Sequence, residues 1–106
     1  MTNIEMKNEI QRIIDEKSRK ERLIYALVEM CDAEENDVKA ITTLDKVGKK
    51  MDECSARFCS LLKETKINFD SPIEKVYAFW KEIENLWNEV DQWRISFIKE
   101  NNIKKV

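Results

Sequence analysis

The chain contains no histidine, and only one glycine and one proline in 106 residues. Without histidine it lacks the commonest general base near neutral pH and the commonest metal ligand. A cysteine nucleophile would also lack its usual activating partner. Strands and tight loops rely on Gly, Pro, Asn and Asp as punctuation, so the scarcity of the first two predicts a few long helices. Long apolar runs are missing too. The longest, Leu23 to Val28, is far short of a bilayer span or a signal peptide's apolar region. No N-x-S/T acceptor, glycine-rich phosphate loop or G-x-S-x-G elbow occurs. A marked excess of one charge sign is missing as well. A net charge of -2 and a pI near 5.3 give no counterion-release drive toward nucleic acid or an anionic membrane.

Cysteine is limited to Cys31, Cys54 and Cys59, an odd number without C-x-x-C spacing. That pattern reads as reduced thiols serving as small apolar residues, in an intracellular protein of the cytoplasm or nucleus. Asp32, Glu34 and Asn36 match the first, third and fifth ligands of a calcium loop. Asp37 stands where the loop needs Gly, however, and Thr43 where it needs a bidentate Glu. No metal, cofactor or catalytic residue is expected, and the chain reads as a non-enzyme.

What is present is heptad order. Hydrophobic residues make up 42% and charged residues 38%, which suits helices with wide solvated faces. From Ser71 to Asn101, Ile73, Val76, Trp80, Ile83, Trp87, Val90, Arg94 and Phe97 recur at steps of three and four. This is an a/d seam broken only by Arg94. Phe79, Leu86 and Trp93 form a second row beside it, so the face is too wide for one narrow contact and calls for at least two neighbouring helices. Ser71 as N-cap, Pro72 as first helical residue and Glu74 reaching back form an expected capping box.

Earlier in the chain, Thr2 with Glu5 reads as a capping box. Met6, Ile10 and Ile13 then begin a seam that meets Lys17 and Lys20 inside a strongly polar stretch. Their stems either lie along neighbours, or their charges set register or partner choice by meeting a carboxylate. The seam resumes at Ile24, Leu27 and Cys31. A new phase runs through Leu44, Val47, Met51, Cys54, Phe58 and Leu61. The discontinuity between them is a turn near Glu35 or a local overwinding of one long helix. Three equal segments, each about 45 Å long at helical rise, favour the turn. Gly48 falls inside the second segment. Close approach of a neighbouring helix would explain it, and a tolerated blemish would serve as well.

The expected fold is therefore all-α, with three long antiparallel helices in one domain, residues 1–106. The arrangement is an up-down-up bundle or a helical hairpin with a coiled-coil extension. The helices span about 3–33, 37–65 and 72–101, joined by a connector at 66–71 with Ile67 and Phe69 tucked beneath it. Residues 102–106 form a frayed tail. The expected function is a protein–protein interaction subunit that assembles with other helical chains, hetero-oligomeric before homo-oligomeric. No nucleic acid, membrane or small-molecule substrate is expected. Its candidate interface comprises Trp80, Trp87, Trp93, Arg94, Phe97, Lys17 and Lys20, with Trp93 and Arg94 of the residue types that anchor interfaces. The alternative is a self-contained three-helix domain holding a peptide or small apolar ligand between its helices.

Overall fold

The computed structural model describes residues 1–32 and 38–101, and the side chains of these except 30–32 and 38–41. The expected turn near Glu35, the acidic stretch with its N-cap candidates Asn36 and Asp37, and the tail 102–106 lie outside the described residues. The protein is an all-α bundle. Helix α1 spans Asn3–Asp32, α2 Val38–Thr65 and α3 Ile73–Glu100. The bundle measures 52 × 25 × 19 Å, close to the length of a single 30-residue helix at about 1.5 Å per residue. The helices therefore lie side by side and do not join end to end.

Helix α1 begins with the expected capping box. The Glu5 amide donates to Thr2 Oγ1 at 3.1 Å, and the Thr2 amide donates to Glu5 Oε1 at 3.3 Å. Met6, Ile13, Lys20 and Leu27, seven apart, are its buried row, joined by Ile24. This row packs most extensively against α3, whereas α2 lies more loosely against both. Helices α1 and α3 run parallel, as Arg12 to Glu84 (2.7 Å) and Lys20 to Asn88 show. On α2, Thr43, Val47, Cys54 and Leu61 are buried, and Leu44, Met51 and Phe58 pack beside them.

The core has two parts. One gathers Ile24, Leu27, Val47, Cys54, Val90 and Phe97; the other gathers Leu61, Phe79 and Ile83 near the α2–α3 connector. Trp87 packs against both and links them. Burying six or more aliphatic and aromatic side chains at about 1.5–3 kcal/mol each supplies the driving force that holds the helices together.

Two local expectations are corrected. Ser71 does not cap α3. Its hydroxyl accepts from the Asn68 amide at 3.0 Å, the helix starts one residue later, and Pro72 stands at its N-cap without a side-chain bond. Asn68 is the reason: its carboxamide also accepts from the Asp70 amide at 2.8 Å, and its carbonyl from the Ser71 amide at 3.2 Å. The result is a tight turn that turns Ser71 away from α3. Phe69 sits at the apex of that turn and is fully exposed, whereas Ile67 packs against the core as expected. Lys66 precedes the turn with a φ of 53°, a left-handed conformation that ends α2. Of the two readings of Gly48, the tolerated blemish holds: a Cβ there would meet nothing within 4 Å, so no helix approaches it closely.

Candidate functional site

A groove of about 300 Å³ lies between the three helices at mid-bundle. Its apolar walls include Ile24 from α1, Met51 and Phe58 from α2, and Trp87, Val90 and Trp93 from α3. Lys17, Glu21 and Lys50 supply its charge. Lys17 Nζ pairs with Glu21 one turn on and lies 5.4 Å from the Trp87 ring centroid and 5.6 Å from that of Phe58. Lys50 Nζ stands 5.8 Å from the Trp93 ring. Each lysine thus places its ammonium over a ring face, where the ring quadrupole attracts it.

The residues named from sequence spread over several environments. Lys17, Trp87 and Trp93 meet in the groove. Trp93 stacks on Phe97 with centroids 4.7 Å apart and an interplanar angle of 21°. Phe97 itself is buried in the core. Lys20 is 8% exposed and its ammonium donates to Asn88 Oδ1, so its charge meets a carboxamide of its own chain. Arg94 is half-buried and pairs with Asp91 three residues earlier at 3.2 Å. Trp80 is half-buried beside Phe79, edge to face at 5.5 Å. The Trp87 indole N–H is buried without an acceptor.

Sequence reasoning missed Lys50, Tyr25 and Cys59 as groove residues. Met51 and Phe58 carried a signal, the three-four spacing, which marked them as packed without revealing that they edge a cleft. Cys54 is buried, and desolvation raises its thiol pKa despite the Lys17 and Lys50 charges. That keeps it a protonated, weakly nucleophilic group. Among the described residues no group of three or more carboxylates and cysteines could hold a metal ion, and no helix is long and apolar enough to cross a membrane. No family model, curated protein or solved structure matches the chain.

Proposed function

We propose that the chain is a non-enzymatic protein–protein interaction subunit of the cytoplasm or nucleus, which joins other helical chains in a larger coiled-coil or bundle assembly. The observation that supports this is the connector end of the bundle. In an up-down-up arrangement the start of α1, the end of α2 and the α2–α3 connector share that end. Met1, Ile4, Leu62 and Phe69 are all exposed there, four of the six large apolar side chains exposed among the described residues. Apolar residues scattered singly over a surface are ordinary, whereas their concentration at one end marks a place for a partner. Phe69 carries most weight, because the hydrogen-bonded turn at Asn68 presents it outward, fully exposed.

Photo-crosslinking tests the reading. With p-benzoylphenylalanine replacing Phe69 in the host cell, a discrete adduct with one or a few partner chains is expected. The same group replacing Glu53, a solvated position 71% exposed at its side chain, is expected to give none. No adduct at 69, or the same diffuse ladder from both positions, would contradict it.

A further inference from the structure

We propose that the mid-bundle groove binds a small amphipathic carboxylate of the aryl or short acyl class, its apolar body on Trp87, Phe58 and Met51 and its carboxylate on Lys50. This goes beyond assembly at the connector end and does not depend on it, since the two places lie apart along the bundle. Size selects the class. About 300 Å³ is at the small end of cavities that hold ligands. An α-helix, about 10–12 Å across with its side chains, would have to displace α2 to enter. The walls select an apolar body, and the aromatic rings favour a flat or slender one.

Charge selects the head. Two lysines and one glutamate line the groove, in a protein whose net charge is -2. Glu21 is already engaged by Lys17. Lys50 is the available cation. Its own partner, Glu53, stands 3.6 Å away on a side chain that is 71% exposed, and solvent weakens such a pair. Lys46 and Lys49 border an adjoining depression that shares Lys50 and Trp93 and faces Glu53 and Glu100; Lys49 there pairs with Asp45 at 3.1 Å, which leaves Lys50 as the lysine common to both. Lys50 is 29% exposed at its side chain. Its ammonium can therefore make a charge-assisted bond at the groove mouth without being dragged into the core.

Calorimetric titration of the full chain with octanoate, and with neutral octanamide as the control, decides the matter. A saturable one-to-one isotherm with octanoate is expected, about tenfold weaker for octanamide. Lys50→Gln should lose about tenfold in octanoate affinity while keeping its thermal midpoint, and Ser55→Trp, which fills the groove from α2, should abolish binding. Equal affinity for octanoate and octanamide, no effect of Lys50→Gln, or uptake that never saturates would overturn the proposal. It would fall equally if octanoate gave no isotherm; dissociation of a parent-chain dimer by Ser55→Trp would then assign the groove to a second copy.

Discussion

Two residues carry backbone conformations or compositions that work against the fold. Gly48 lies exposed inside α2 with open space where a Cβ would stand, so it contributes flexibility to the unfolded chain and nothing to packing. Gly48→Ala should stabilise the protein by about 1 kcal/mol. Lys66 holds a left-handed φ of 53°, which Gly adopts without steric cost. Lys66→Gly should gain about 0.5 kcal/mol after allowing for the extra freedom it gives the unfolded state. Urea midpoints of the single and double variants check both, and the effects should add because the sites share no partner. The sequence placed Gly48 in a helix but could not say what faced it, because neighbour distance across helices leaves no mark in spacing. The connector was equally opaque. A Ser-Pro-x-Glu pattern predicts a cap, but Asn68 competes for the same hydroxyl, and only the three-dimensional turn shows which bond forms.

At the scale of the helix, legibility followed periodicity. The α2 series from Leu44 to Leu61 packs throughout as its spacing indicates. On α3 the buried positions are Phe79, Ile83, Val90 and Phe97, with Trp80 only half-buried. Successive residues sit about 100° apart around a helix of 3.6 residues per turn. A core centred between the seam and its flanking row therefore buries Phe79 and leaves Trp80 at the margin. Two rows of apolar residues give the breadth of a face without fixing its centre. The tighter α1–α3 contact rests partly on Glu84, which accepts from Arg12 at 2.7 Å and Lys81 at 2.9 Å. Those bonds, Lys81 first and then Arg12, hold its carboxyl below the ordinary 4.5. A lowered folded pKa contributes stability that is present above the unfolded value and fades as pH falls through the folded one. Glu84→Gln should thus cost up to about 1 kcal/mol at neutral pH. The deficit should begin to shrink as the pH falls through the ordinary carboxylate value of 4.5 and be gone below the depressed folded one, read by denaturant midpoints along a pH series from neutral to strongly acidic. A deficit that stays constant with pH would show that the ionised Glu84 carboxylate is not what stabilises the α1–α3 contact.

For the whole molecule, the bundle closes α1 against α3, leaves α2 loosely seated, and exposes apolar side chains at its connector end. The three-helix class was legible because one Gly, one Pro and sustained heptads leave few alternatives. The groove was not, since a cleft between packed helices is a property of packing and not of pattern. Solution mass by light scattering, with thermal melts at several concentrations, tests the assembly reading most directly. A mass above the 12.7 kDa of one chain with a midpoint that rises with concentration is predicted for self-association. If the partner is a different chain, the isolated protein should instead melt broadly. A 12.7 kDa monomer with a sharp, concentration-independent melt would contradict the account, because such a bundle is complete alone.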